Sequence, residues 1–174
     1  MADLKDVSFV MPVLNEQDYL AIAVESVLSQ KTPGKAQLVL ALGPSADETN
    51  KIAESLAKKY KNLILVENPT GSTATGLNLA IEKSSYETVI RVDAHSELSD
   101  NYAASAVKIL NTTGAANVGG MMIAKGRTAL QRAVAFGYNS RFGLGGGSFH
   151  VGGNPGPADT VYLGCFRKSI ITEL

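Results

Sequence analysis

Four short, unbroken apolar runs, spaced by helix-patterned segments, set the tightest limit on what this chain can fold into. They are "VSFVMPV" (Val7 to Val13), "QLVLAL" (Gln37 to Leu42), "NLILVE" (62–67) and "TVIRV" (88–92). None alternates apolar with polar as a strand wetted on one face would. Runs of this kind belong to a parallel sheet covered by helices on both faces. The intervening segments have the matching pattern. "QDYLAIAVESVLSQ" places Leu20, Val24, Val27 and Leu28 at helical spacing, with Asn15 where a cap would sit and Asp18 in the early turn. "SADETNKIAESLAKKY" reads as a helix capped by Ser45 and faced with Ile52, Leu56 and Tyr60. "GSTATGLNLAIEKS" turns Leu77, Ala80 and Ile81 inward. The predicted fold class is α/β, a Rossmann-like, mostly parallel sheet.

In such sheets the loops after the carboxyl ends of the strands line the ligand crevice. Here those loops begin at Pro12, Gly43, Asn68 and Asp93, and they carry "PVLNE", "GPS", "NPTGS" and "DAH". Four polar segments far apart in sequence are thus expected along one edge.

Beyond Asp93 the character changes. "DNYAASAVKILN" predicts an amphipathic helix with Tyr102, Ala106, Ile109 and Leu110 on one stripe. "ANVGGMMIA" reads as a strand holding a glycine pair, and "TALQRAVAFGYNS" as a helix. "FGLGGGSFHVGGNPGPAD" is rich in Gly and Pro, either a surface loop or a lid over a substrate. "TVYLGCF" is a strand and "RKSIITEL" opens a helix. A chain that stops within a helix leads us to expect a further C-terminal portion.

Composition narrows the function classes. Sixteen Lys+Arg balance sixteen Asp+Glu, which argues against a nucleic-acid partner, since such binders carry a basic excess. A single cysteine, Cys165, rules out an internal disulfide framework and a cysteine-based zinc cluster. It reads as a small buried hydrophobe. "MADLKD" puts acids where the basic region of a signal peptide would lie, and no apolar run approaches the roughly 20 residues of a membrane span. A soluble, cytoplasmic protein is the expectation.

Asp93 and His95 form the strongest chemical signal. A carboxylate and an imidazole one residue apart can address a divalent ion and a diphosphate together. Oxygen and nitrogen donors suit Mn²⁺ or Mg²⁺, with the imidazole favouring Mn²⁺. Such an ion neutralises charge on a departing diphosphate. The competing explanation is a strand end followed by a capped turn. The other histidine, His150, lies in the glycine-rich segment and reads as solvent-exposed. "NPTGST" lacks the lysine and spacing of a P-loop, no GxGxxG follows the first strand, and no GxSxG elbow occurs. Asn15 and Glu16 serve either as a helix cap or as ligand contacts in the first crevice loop.

Taken in order, these segments resemble the family 2 glycosyltransferases. "VSFVMPVLNEQDYLAIAVESVLSQ" is similar to that family's strand, P-x-x-N-E and helix opening. "GPSADET" sits where its members have an acid-containing loop. "NPTGSTATGLNLAI" resembles their N-P-x-G and N-x-A-I segment, and "RVDAHSEL" occupies the position of their D-x-D metal motif. "RVDAH", "NVGG", "SRFGLGG" and "DTVYLGCFRK" together resemble the succinoglycan-type enzymes of bacterial exopolysaccharide synthesis.

The resemblance covers nearly the whole chain. It implies a single GT-A domain, with a nucleotide-sugar-binding half at about 1–98 and part of an acceptor-binding half at about 99–174. It implies inverting transfer of a sugar from a nucleotide sugar, UDP-linked for preference, to a glycan or a polyprenyl-diphosphate-linked acceptor. A divalent Mn²⁺ or Mg²⁺ would assist, and association with the inner membrane face would be peripheral. By position, Pro12, Val13, Asn15 and Glu16 would face the nucleotide, and Gly43, Pro44 and Ser45 would read the base. Gly71, Ser72 and Asn78 would lie near ribose and diphosphate. Asp93 and His95 would hold metal and phosphate. Two departures stand out. Leu42 and Gly43 replace an acid that many relatives aim at uracil. The catalytic base of the family falls beyond Leu174, leaving Asp159 as a candidate for acceptor contact only. A nucleotidyltransferase, or a catalytically incomplete nucleotide-binding fragment, is the alternative. "PVLNEQD" has no basic residue for a triphosphate, which counts against the former.

Overall fold

The computed structural model describes residues 5–140, 142–143, 152, 155–158 and 160–172. Its strands are β1 (Val7–Val13), β2 (Ala36–Leu42), β3 (Leu63–Glu67), β4 (Thr88–Arg91), β5 (Asn117–Gly120) and β6 (Tyr162–Arg167). The helices are α1 (Leu20–Leu28), α2 (Thr49–Lys59), α3 (Thr73–Lys83), α4 (Tyr102–Thr113), α5 (Ala129–Tyr138) and α6 (Lys168–Thr172). They form a six-stranded sheet in the order β3-β2-β1-β4-β6-β5. The pairs β1–β2, β2–β3 and β1–β4 are parallel, and β4–β6 is antiparallel. The order reverses between β1 and β4. The loops after these two neighbours leave the sheet together, which is where open α/β sheets bind ligands.

The chain divides into two compact units, residues 1–118 with 165–174, and residues 119–164. In the first, side-chain alternation along the strands supplies both faces of the sheet. Val7, Phe9, Met11 and Val13 of β1 point one way, into a core shared with Leu20, Val24 and Val27 of α1, Leu56 of α2, and Val107 and Leu110 of α4. Val10 points the other way, joining Val39, Ala41 and Val89 under Ala80 and Ile81 of α3. Cys165 is fully buried in the larger core, as its reading as a small hydrophobe requires. Burial pushes its thiol pKa up to about 12.

Several local expectations need correction. Helix α1 begins at Leu20 after Tyr19, with no side-chain cap, so neither Asn15 nor Asp18 belongs to it. Ser45 does not cap α2, which starts at Thr49. On α4 the buried stripe is Ala103, Ala106, Val107 and Leu110, while Ile109 is exposed. Ala106 and Leu110 are buried as expected and Tyr102 packs partly buried against the core, so the correction concerns Ile109 alone. Helix α4 ends at Gly114, whose φ of +69° glycine adopts without strain.

In the second unit, α5 opens with a capping box. Thr128 accepts from Gln131 N, and Gln131 Oε1 accepts from Thr128 N at 3.0 Å. Asn139 clamps Ala124 by two bonds of 2.9 Å. No helix among the described residues is long and apolar enough to cross a membrane.

Candidate functional site

Each strand of the parallel set releases its chain into a loop at the same edge, and hydrogen bonds knit those loops together. The β1 loop (14–19) and the β2 loop (43–48) are joined first. Asn15 adopts φ +54°, a left-handed conformation Asn tolerates better than most residues. That turn lets Asn15 N donate to Ser45 Oγ (3.0 Å) while Asn15 Oδ1 accepts from Ala46 N (2.8 Å). Glu16 N donates to Thr49 Oγ1 (2.7 Å), and Gln17 pairs with the Asp47–Glu48 stretch. Asp47 is a hub: Oδ2 accepts from Gln17 N and Oδ1 from Thr49 N. The Thr49 hydroxyl, and then these backbone donors, hold its carboxyl below the ordinary 3.8.

The β3 loop closes against the same place. Asn68 is buried, accepts from the Thr70 hydroxyl (2.9 Å) and donates Nδ2–H to Ser72 O (3.0 Å). Gly71 takes φ +65°. A Cβ at Gly43 would sit 3.2 Å from Gly71 Cα and 3.0 Å from Leu14 Cδ1. Three loops therefore meet where backbone approaches backbone, and Gly43 is the residue that permits it.

The β4 loop brings the charged groups. Arg91 and Asp93 are two apart on an extended segment, so they share a face. Arg91 Nε and Nη2 both donate to Asp93 Oδ1, at 3.1 and 3.0 Å. Oδ2 has no protein partner among the described residues. His95 Nδ1 lies 2.8 Å from Glu16 Oε1, a contact between residues 79 apart in sequence. When Nδ1 bears the proton, Nε2 presents its lone pair.

Of the residues singled out from sequence, Asn15, Glu16, Gly43, Ser45, Gly71 and Ser72 lie in the three interlocked loops, and Glu16 meets His95. Pro44 is exposed beside Gly71. Val13 is different: its side chain is core, and only its carbonyl serves the loops, accepting from Gly43 N at 2.8 Å. Pro12 faces α3, and Asn78 is exposed on that helix. Asp159 and His150 lie outside the described residues. Sequence reasoning passed over Arg91, Asp47, Thr49 and Asn68. The two-residue strand period would have paired Arg91 with Asp93. An Asx turn at "ADET" would have flagged Asp47.

The β4 loop carries one oxygen and one nitrogen donor, the chemistry a divalent ion takes. No group of three or more His, Cys, Asp or Glu side chains converges among the described residues. Asp93 Oδ2 and, in the Nδ1–H tautomer, His95 Nε2 are left without a hydrogen bond to Arg91 or Glu16. Ions such as Mg²⁺ are commonly held by one or two protein groups, with phosphate oxygens and water completing the shell.

The chain is 32% identical over 145 residues to the succinoglycan biosynthesis protein ExoA of Rhizobium meliloti, an overlap of 82% of this chain and 44% of that protein. It therefore spans less than half the length of that relative. Among solved structures, the S. aureus protein TarS (residues 1–349, in complex with UDP-GlcNAc) superposes with a TM-score of 0.61 at 22% identity, over 71% of this chain and 36% of that one. The mannosyltransferase PcManGT from Pyrobaculum calidifontis, in complex with GDP-Man and Mn²⁺, gives 0.61 at 25% identity, over 66% and 35%. These neighbours have the GT-A fold expected from the sequence. Residues 8–162 match glycosyl transferase family 2, and the chain belongs to that family.

Proposed function

We propose that this chain is the donor-binding part of an inverting family 2 glycosyltransferase. It would move a hexose from a nucleotide diphosphate sugar to a glycan or lipid-linked acceptor in exopolysaccharide synthesis. The observation that carries the reading is the meeting of Glu16 and His95, beside the Arg91-anchored Asp93, where the β1 and β4 loops leave the sheet. The ExoA relative supports the exopolysaccharide setting, and PcManGT, bound to GDP-Man and Mn²⁺, supports a nucleotide sugar with a divalent ion. Residues up to about 98 form the nucleotide-sugar half in this reading, and those after it begin the acceptor half. Contact with the cytoplasmic membrane face would be peripheral.

The chemistry follows from the parts. Inverting transfer needs a base for the acceptor hydroxyl and a way to stabilise the departing diphosphate. Asp93 and His95 would hold the Mn²⁺ or Mg²⁺, which when bound supplies positive charge to the diphosphate. Arg91 fixes the orientation of the Asp93 carboxylate. Asn15, Gly43, Pro44 and Ser45 shape the wall for the base, and Gly71 and Ser72 offer small surfaces against which ribose and diphosphate can lie. The residues of the four loops bear on the donor, so donor binding is the activity to test first.

Calorimetric titration with UDP and with GDP, each with and without Mn²⁺, tests this. Binding of at least one nucleotide, strengthened by Mn²⁺, is the expected result. A folded sample that binds neither nucleotide in the presence of Mn²⁺ refutes the proposal.

A further inference from the structure

We propose that Glu16 is a positioning residue that fixes the tautomer of His95 and aims its Nε2 at the donor site. The inference rests on the donor-site reading above for what Nε2 meets, and on geometry alone for the tautomer. The two side chains meet at 2.8 Å, Nδ1 to Oε1. Their unequal exposure shows which one holds the other: the Glu16 side chain is 19% exposed and that of His95 is 59% exposed.

The Glu16 backbone is tied down on both sides. Its N–H donates to Thr49 Oγ1 at 2.7 Å, and its carbonyl accepts from Tyr19 N (3.0 Å) and Leu20 N (2.8 Å) at the start of α1. Its carboxylate is thus a fixed acceptor, and the imidazole is the movable, presented group. A neutral imidazole beside a carboxylate keeps its proton on the nitrogen that faces it, leaving the other nitrogen as a lone-pair donor. Carboxylates pair with metal-binding histidines in this way, setting ring orientation and raising ligand basicity. The pairing needs β1 beside β4, so it is a product of the strand order. In sequence Glu16 looks like part of a helix start.

The chain has two histidines, so ¹⁵N-histidine labelling gives two ring systems, and His150→Ala assigns them. Two-bond ¹H–¹⁵N spectra of the metal-free protein at pH 8 should show His95 with the proton on Nδ1. In Glu16→Ala the Nε2–H form should take over. Glu16→Gln, whose carbonyl oxygen can still accept from Nδ1–H, should restore part of the original population. Melting curves on all variants report folding separately. Titration of Mn²⁺ with GDP or UDP should show affinity reduced about 10–100-fold in Glu16→Ala, the usual effect of losing such a partner, with Glu16→Gln between it and the unmodified chain. A wild-type His95 protonated on Nε2, or a Glu16→Ala variant with unchanged tautomer and unchanged Mn²⁺-dependent affinity, overturns the proposal. If the wild-type chain binds no nucleotide with Mn²⁺, the donor-site reading fails, and the spectra alone decide whether Glu16 sets the tautomer.

Discussion

Replacing Gly76 with alanine sets two opposing effects against each other inside α3. Alanine is the better residue in a helix interior by about 1 kcal/mol. Gly76, however, is buried where the helix presses on the sheet. A Cβ there would fall 2.8 Å from Asn68 Nδ2, 3.2 Å from Pro12 Cβ and 3.4 Å from Ala41 Cβ. Asn68 is 1% exposed, and its Nδ2 already donates to Ser72 O, so it cannot retreat without giving up that bond. Overfilling a packed interior costs about 1–3 kcal/mol, and stranding a buried amide costs about as much again. Net of the helix gain, Gly76→Ala should destabilise by about 1–5 kcal/mol. At about 2–4 °C per kcal/mol for a chain of this size, Tm should fall by about 2–20 °C. Nucleotide affinity should fall with it, because Asn68 shapes the loop through Gly71.

Gly137→Ala is the control. Gly137 lies within α5, and a Cβ there would meet nothing within 4 Å. That variant should hold or gain stability, by up to about 1 kcal/mol. Thermal melts of both variants decide the matter. A Gly76→Ala protein as stable as the unmodified chain, or more so, refutes the claim that close helix–sheet contact outweighs propensity at this position.

Asp93→Ala should nearly abolish Mn²⁺-dependent nucleotide binding while leaving Tm almost unchanged. Calorimetry showing intact affinity would remove Asp93 from the site. Asp47 is stabilised as a carboxylate, chiefly by the Thr49 hydroxyl, so its folded pKa lies below its unfolded one. Its contribution is therefore present above about pH 4 and lost as the pH falls through the lower folded value. The gap in urea midpoint between Asp47→Asn and the unmodified chain should be largest at pH 7 and narrow as the pH falls below about 4; a gap that does not change with pH refutes the assignment. The Cys165 thiol, pushed up to about 12 by burial, should be inert to Ellman's reagent in the folded protein at pH 8 and react in guanidinium. Prompt reaction without denaturant would show that β6 opens.

The elements themselves were legible because their signals are local. Val7–Val13 and Gln37–Leu42 are apolar on both sides of the pleat, so any sheet containing them must be covered twice, and the segments between have the spacing to cover it. The register of Leu20, Val24 and Val27 on α1 follows from the helical repeat alone. The buried character of Cys165 is likewise a residue-level tendency. The convergence of four loops on one edge follows from parallel strands joined by helices.

What the sequence left open depends on neighbours. Ile109 is as apolar as Leu110, yet Leu110 is fully buried while Ile109 is exposed, a difference set by which face of α4 meets the core. Asn15 could have capped a helix. Instead its backbone turns left-handed because Ser45 and Ala46, thirty residues on, offer better partners. The antiparallel approach of β6 to β4 leaves no mark in either strand. Glu16 and His95 are each unremarkable alone; they become a pair because the sheet places β1 beside β4. By itself the sequence determined which residues form strands, helices and crevice loops, since hydrophobic periodicity is a property of adjacent residues. Only the tertiary structure decided which loop side chains meet, since a hydrogen bond between residues 79 apart exists only once the strand order has closed the distance.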